Sequence, residues 1–330
     1  MRWLITGATG FIGLNLAERL VRRGNEVRAL VRDPARAGEL RDLGAELFQG
    51  DVSRPGSLER AVERVDAVVH LAGLVKAVSR EELFRVNVEG TRELARAAAA
   101  AGRLPFVLVS SLAAAGPSRP GHPRVEADPP APVSQYGESK LAAEEAMRSI
   151  AGELEATVVR PPLVYGPRDK EMLPALFRMA RARVVVKAGF GEKRYSAIHV
   201  DDLCELIELA ALRGRRLSAS GSEGVYFADD GVEYTWEDLG RSALEALGRR
   251  GVVVPLPEAA SWLAAGISSA AARVTGRAAI LSLDKMLEIR EAAWTSSSAR
   301  ARRELGWAPR LGLQEGMRRS VEWFRERGLV

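Results

Sequence analysis

The sequence predicts an α/β fold, a doubly wound parallel sheet followed by a smaller, mostly helical C-terminal part. Three observations carry that expectation. Apolar runs of strand length recur at 3–5, 27–31, 45–48, 67–69 and 106–109. Between them, apolar residues fall at three- and four-residue spacing over 11–23, 58–64 and 81–101, the period of a helix with one buried face. At 330 residues the chain has room for about two domains.

Each element has a local cause. Trp3-Leu4-Ile5 is a short uncharged run that breaks at a glycine-rich turn, and the pattern from Phe11 onward is helical. Asp33-Pro34 reads as a cap followed by proline at a first helical position, and Ser79-Arg80-Glu81-Glu82 as a capping box. Strands alternating with helices imply right-handed crossovers into one parallel sheet covered on both faces. Beyond Pro167 the rhythm loosens. Helical patterns at 172–183, 202–213, 236–247 and 314–326 are separated by loops and a few short strands, with no internal repeat. Because open α/β sheets bind ligands outside the carboxyl ends of their strands, this second part is expected to close over that edge and shape a cleft.

Composition narrows the function. With 47% hydrophobic and 28% charged residues the chain resembles an ordinary globular protein, which excludes disordered and fibrous classes. The net charge of +5 invites a nucleic-acid partner, but only six of the 48 basic residues are lysine and the arginines are scattered, mostly beside acids, so a solvated surface is expected instead. The uncharged run at 259–272 is shorter than the roughly 20 residues of a bilayer span, and no membrane anchor is expected. A single cysteine, Cys204, fits a reducing, cytoplasmic location. His70, His122 and His199 lack metal-ligand spacing, so no metal site is expected.

The first chemistry-bearing motif is Thr6-Gly7-Ala8-Thr9-Gly10-Phe11-Ile12-Gly13, between the first strand and the first helix. Its three glycines allow a tight turn, close approach of the backbone to a pyrophosphate, and packing of helix on strand; the helix N-terminus then holds the phosphates. The second is Tyr136-Gly137-Glu138-Ser139-Lys140. Five tyrosines and six lysines in 330 residues make a chance pairing at this spacing rare. At i and i+4 on a helix the two side chains share a face, and an ammonium there is expected to lower the phenol pKa from its reference near 10. Ser110-Ser111, at the carboxyl end of the 106–109 strand, supplies hydroxyls at the same edge.

These segments together resemble the extended short-chain dehydrogenase/reductase family, and the likeness spans nearly the whole chain, fading between 252 and 280. Gly50-Asp51-Val52 resembles the family's adenine contact. His70-Leu71-Ala72-Gly73 resembles the segment lining the cofactor, and Asn87 matches a family asparagine. Pro161, Leu163 and their neighbours in Arg160-Pro161-Pro162-Leu163-Val164-Tyr165-Gly166-Pro167 resemble the segment at the nicotinamide end, and Ile198-His199-Val200-Asp201-Asp202 the one at the domain junction. The resemblance implies that Ser111, Tyr136 and Lys140 form the catalytic set. It also implies a homodimer built from the helices around 82–101 and 136–150. A Rossmann domain is expected over 1–167 with a return segment near 197–221, and a substrate-binding domain over 168–196 and 222–330.

Aligned on the glycines, the family's acid position falls at Val31, followed by Arg32, whose guanidinium suits a ribose 2′-phosphate. This favours NADP, with NAD as the alternative served by Asp33, a residue that equally suits a helix cap. Sugar-nucleotide epimerases and dehydratases of the family carry an asparagine where this chain has Leu163. The segments 27–34 and 109–116 instead resemble the dihydroflavonol reductase and 3β-hydroxysteroid dehydrogenase branch. An NADP-dependent oxidoreductase acting on an apolar ketone, aldehyde or secondary alcohol is therefore the expectation. The alternatives are a redox-neutral sugar-nucleotide epimerase or dehydratase with tightly bound NAD(P), and a non-catalytic dinucleotide-sensing protein. The loop between Ser111 and Tyr136 holds six of the 16 prolines and suits a pocket wall or a solvent loop. Further walls are expected at 74–80, 163–170 and 187–196; His122, Arg168 and Lys193 are open between contacts to a polar substrate and, more commonly for such residues, surface positions.

Overall fold

The computed structural model describes residues 1–275 and 282–330. Its first half is the doubly wound sheet. Strands β1 (Arg2–Thr6), β2 (Glu26–Val31), β3 (Glu46–Gln49), β4 (Ala67–His70), β5 (Pro105–Val109) and β6 (Glu155–Arg160) are joined by a seventh, Val225–Phe227. All pair in parallel, in the order Val225–Phe227, β6, β5, β4, β1, β2, β3, so the order reverses between β1 and β4. A switch point of this kind opens a crevice at the strands' carboxyl ends.

Alternation along the strands explains why both faces are covered. Ile5, Val69, Val107 and Val159 face one side and pack with residues of the helices Phe11–Arg22 and Val200–Arg213. Leu4, Val68, Phe106, Leu108 and Val158 face the other and pack with Leu94 and Ala98 of Gly90–Ala101 and with Ala143 and Met147 of Gln135–Arg148. Strands buried on both sides need near-continuous apolar runs, which is what the sequence carries.

Two expected helices come out differently. The 58–64 pattern gives only one turn, Leu58–Ala61. The 81–101 pattern is broken into Arg80–Phe84, a π-helical turn at Arg85–Glu89 and Gly90–Ala101. Such a bulge commonly marks a functional position, and here it carries Asn87.

The return to the main sheet runs to Phe227, past the segment near 197–221. The remaining chain forms small sheets around the strand Arg194–His199 and the helices Met172–Arg181, Trp236–Ala246 and Leu313–Glu326, whose apolar faces share one core. Asp202, at the junction, accepts hydrogen bonds from the backbone of Arg310 and Leu311 at 3.0 and 2.9 Å and so ties the C-terminal segment to the sheet domain. Residues 276–281 of the expected substrate-binding domain, part of the stretch where the resemblance fades, lie outside the described residues. No described helix is long and apolar enough to cross a membrane.

Candidate active site

The glycine turn is built as a cradle. Gly7 has φ +68°, and a Cβ there would lie 2.6 Å from the Ala72 nitrogen and 2.7 Å from the Leu71 carbonyl carbon. A Cβ on Gly13 would lie 2.4 Å from the Gly7 oxygen, while one on Gly10 would meet nothing but that oxygen within 4 Å. Gly7 and Gly13 thus hold strand, turn and helix together, and Gly10 keeps the outer side of the turn open. Gly10 caps the helix without a side chain, so the N–H groups of its first turn, at Phe11, Ile12 and Gly13, are offered outward. The carbonyl of exposed Thr9 takes the Lys170 ammonium at 3.2 Å. The residues present fit a dinucleotide pyrophosphate.

A buried hydrogen-bond chain fixes this turn to the next loop. Thr91 Oγ1 donates to the Asn87 carbonyl at 2.6 Å, so it accepts from His70 Nε2 at 2.9 Å. His70 Nδ1 is then free to accept from Thr6 Oγ1 at 2.6 Å, and that oxygen accepts from the Ala72 N–H. The chain defines one neutral tautomer of His70, whose pKa is pushed down to about 3 by burial and by the Lys140 charge. Asn87 continues the network: its amide donates to the Leu74 carbonyl and to Ser139 Oγ, both at 2.9 Å, and Ser139 Oγ donates to the Tyr136 carbonyl at 2.8 Å.

Arg32 is exposed just beyond β2. Asp51 accepts from the N–H and hydroxyl of Ser53 at 2.9 and 2.8 Å on the same oxygen, leaving the other uncommitted by these bonds. Burial works to raise the Asp51 pKa, but the Ser53 bonds and the charges of Arg32 and Arg54 outweigh it and hold the carboxyl below its ordinary value. The Val52 side chain is buried in the core. Asp33 is occupied as a cap, accepting from the Ala35 N–H at 3.0 Å.

Ser111 and Tyr136 line one cavity of about 480 Å³. Its walls are Leu112, Ala113, Pro162, Leu163, Val164, Met172, Tyr195, Trp236, Ile289 and Trp294, with Ser196 and three charged residues, Glu171, Lys285 and Glu288. Ser111 is set by its backbone: the Leu112 N–H donates to the Pro161 carbonyl at 2.8 Å, and the Ser111 hydroxyl oxygen caps the Ala113 N–H at 3.1 Å. Gly137 lets the Tyr136 helix sit close, since a Cβ there would fall 2.4 Å from the Ala113 oxygen. Lower down the helix, Glu144 accepts from Ser110 Oγ at 2.5 Å and pairs with Arg160 at 2.6 Å, a buried network that fixes the helix to β5 and β6.

One expectation is reversed. Burial pushes the Tyr136 phenol up to about 12; the hydrogen bond with Ser111 lowers it and the Glu288 charge raises it. Lys140 does not offset this, because its ammonium donates to the Val109 carbonyl at 2.8 Å and is itself pushed down to about 8 by burial, against the Glu144 charge. Spacing puts Lys140 on the same helix, but its ammonium is spent on the Val109 carbonyl and burial of the phenol is the larger influence.

Other expectations divide. Leu163, Val164, Tyr195 and Ser196 do form walls, whereas residues 75–79 line a separate cavity of about 200 Å³ with Gln135 and Leu283. Arg168 is not in the cavity; it is buried against Asn15, Glu18 and Glu39. His122 is exposed, and Lys193 is held by Glu258 and the Ile289 carbonyl. The proline-rich loop grips the strand end that carries Trp294, through Ser118 N–H to the Ala293 carbonyl at 3.0 Å and Arg124 N–H to the Thr295 carbonyl at 2.9 Å. Glu288, Lys285, Trp294 and Trp236 carry no local sequence signal that could have placed them here.

Comparison with known proteins gives the same picture. The profile of the NAD dependent epimerase/dehydratase family matches residues 3–221. The chain is 35% identical to the ceramide reductase of Caulobacter vibrioides, over 98% of this chain and 94% of the relative. It is 33% identical to a 4-hydroxy-2-methyl-3-oxo-4-farnesyl-3,4-dihydroquinoline-1-oxide ketoreductase of Stigmatella aurantiaca, over 96% and 95%. Among solved structures, UDP-glucose 4-epimerase of Thermus thermophilus in complex with NAD superposes with a TM-score of 0.78 at 27% identity, covering 98% of this chain and 99% of that one. A glycine cradle at a sheet switch point, a neutral buried histidine tying it to the next loop, and a profile match over most of the sheet domain agree: the chain belongs to the NAD dependent epimerase/dehydratase family, the extended short-chain dehydrogenases/reductases.

Proposed function

We propose that this protein is an NADP-dependent reductase that converts an apolar ketone or aldehyde to the alcohol, and runs the reverse reaction, with Ser111, Tyr136 and Lys140 as its catalytic set. The observation that carries this is the placement of the Ser111 and Tyr136 hydroxyls on one largely apolar cavity beside the glycine-turn domain. Reductase and ketoreductase names among relatives above 30% identity support it.

A dinucleotide held there would supply or take up hydride at the substrate carbon. The turn Thr6–Gly13, with Gly7, Thr9, Gly10, Phe11 and Ile12, would hold its pyrophosphate, Asp51 and Val52 its adenine, and Arg32 a 2′-phosphate. Leu71, Ala72 and Gly73 would line it, and Pro161, Leu163 and Lys140 would meet its nicotinamide end. In reduction Ser111 donates a hydrogen bond to the carbonyl oxygen and polarises it. Tyr136 donates its proton to that oxygen as the carbon takes hydride, so the C=O double bond becomes a C–OH single bond. A phenol at about 12 is fully protonated at neutral pH, the form that donation requires. Lys140, pushed down to about 8 by burial, still carries its proton near neutrality, and that charge would face the nicotinamide end of the cofactor.

A panel of apolar ketones and of sugar nucleotides, each tested with NADPH and with NADH and followed by loss of the reduced-nicotinamide absorbance, tests this. Net consumption with ketones, stronger with NADPH, is expected; conversion of a sugar nucleotide with no net consumption would replace the proposal with an epimerase or dehydratase. Tyr136→Phe is expected to lower turnover by at least about 10²-fold, the scale of one proton-transfer contribution, while NADPH affinity stays within a few-fold. Near-normal turnover in that variant would reject Tyr136 as the proton donor.

A further inference from the structure

We propose that Glu288, carried by the C-terminal helix Leu283–Ile289, is a positioning residue for Tyr136: its carboxylate fixes the first turn of helix Gln135–Arg148 and, balanced by Lys285, governs how firmly the phenol keeps its proton. The inference rests on Tyr136 being the proton donor.

The geometry is a cap held from outside. Ser134 caps the Tyr136 helix by accepting from the Gly137 N–H at 3.0 Å, and its hydroxyl donates to Glu288 Oε1 at 2.6 Å. One turn earlier on the same C-terminal helix, Asp284 accepts from the Gln135 N–H at 2.8 Å. Glu288 Oε2 takes the Lys285 ammonium at 2.5 Å, and the Glu288 carbonyl takes the Trp294 indole N–H at 2.8 Å. The residue is only 8% exposed. A carboxylate this buried is costly unless paired, and its two oxygens end on the Tyr136 helix cap at Ser134 and on Lys285.

The groups facing Tyr136 are Ser111 from the β5 end, Lys140 on its own helix, Glu288 and Lys285 from the C-terminal helix, and Glu171 and Tyr195 on the other walls of the cavity. Asp284 lies at the helix start on Gln135, and Glu138 pairs with Arg80 on the outer side. Glu171 is neutralised by Lys76 at 2.5 Å, and Lys140 is turned onto the Val109 carbonyl. Glu288 is the carboxylate whose charge raises the Tyr136 pKa, and a negative charge beside a phenol disfavours the phenolate. The protein thereby uses its substrate-side domain to hold the proton donor in its donating form.

The test is a tyrosinate absorbance titration with NADP+ present, in which subtraction of Tyr136→Phe isolates the ionisation of this one phenol without any substrate. Glu288→Gln keeps a hydrogen-bond acceptor for Ser134 and removes the charge; the Tyr136 midpoint is expected to fall by about one pH unit, a tenfold change in its proton affinity. Lys285→Met leaves the carboxylate unbalanced, and the midpoint is expected to rise. Each variant is subtracted against its own Tyr136→Phe double mutant, so a general loosening of the fold cancels. Opposite shifts support the proposal, and an unmoved midpoint in both variants overturns it. If Glu288→Gln fails to fold, the direction of the Lys285→Met shift alone decides. Should Tyr136→Phe retain turnover on the ketone panel, the assigned reaction fails by that result, whatever the two midpoints do.

Discussion

The glycine cradle after β1 and the cavity at Ser111 and Tyr136 sit on the same sheet edge but are made in opposite ways. The cradle is local: Thr6, Gly7, Gly10 and Gly13 span one strand-turn-helix junction, and its closest external contact is the adjacent loop at Leu71 and Ala72. The cavity is assembled, drawing Ser111, Tyr136, Leu163, Tyr195, Trp236 and Glu288 from segments spread over more than half the chain. A local device is legible from spacing and fails at a single atom. An assembled wall is invisible in sequence, and each of its residues contributes a small part.

The largest effect should therefore follow the smallest change in the cradle. Gly7→Ala places a methyl 2.6 Å from the Ala72 nitrogen at φ +68°, where only backbone movement relieves the clash. Strain at such a position costs on the order of 1–3 kcal/mol, and the displaced turn no longer fits a pyrophosphate. Dinucleotide affinity measured by fluorescence titration should fall by about 10²-fold or more, with a lower melting temperature. Retained affinity would show that the turn is more adaptable than its contacts indicate.

The histidine that ties the cradle to the sheet makes a second break point, this time through pH. His70 is neutral and held at about 3 in the folded state against an ordinary value of 6.5. The unfolded chain therefore binds a proton that the folded one refuses as pH falls below the unfolded value. Stability is full above about 7 and is lost on acidification toward 3, with a slope of up to about 1.4 kcal/mol per pH unit. His70→Asn removes the titrating ring, and its denaturation midpoint should change less between pH 7 and pH 5 than that of the parent. Equal slopes in the two proteins would mean that His70 becomes protonated in place.

How far the sequence carried is clear from particular residues. The strands at 27–31 and 106–109 and the glycine turn were legible because each is set by short-range pattern, whereas the meeting of Ser111 with Tyr136 was legible only through the family resemblance. The π turn at Arg85–Glu89 was not, because helical spacing continues across it and Asn87 turns inward only to reach Leu74 and Ser139. Tyr136 was misjudged in a more instructive way: spacing gives the distance of a lysine along a helix, but the sign of a pKa shift depends on burial, which arises from the whole fold. Glu288 was out of reach, since it meets the Ser134 cap from 154 residues away.

The smallest effect should come from the cavity wall, and it bears on what the cavity accepts. Leu163, which the family resemblance sets against an asparagine usual in sugar-nucleotide enzymes, lines the cavity beside Pro162, Val164 and Met172. Leu163→Asn adds an amide with no partner on that apolar stretch while leaving Ser111 and Tyr136 untouched. An apolar ketone would lose contact on binding and in the transition state alike, so KM should rise about three- to tenfold, roughly 1 kcal/mol, with kcat little changed. A change confined to KM fits an assembled wall, in which one residue adjusts recognition without reaching the proton. A fall in kcat as large as that of Tyr136→Phe would instead show that Leu163, at the nicotinamide end, governs the reaction as well as recognition, and the contrast between the locally built cradle and the collectively built cavity would have to be redrawn with this segment on the catalytic side.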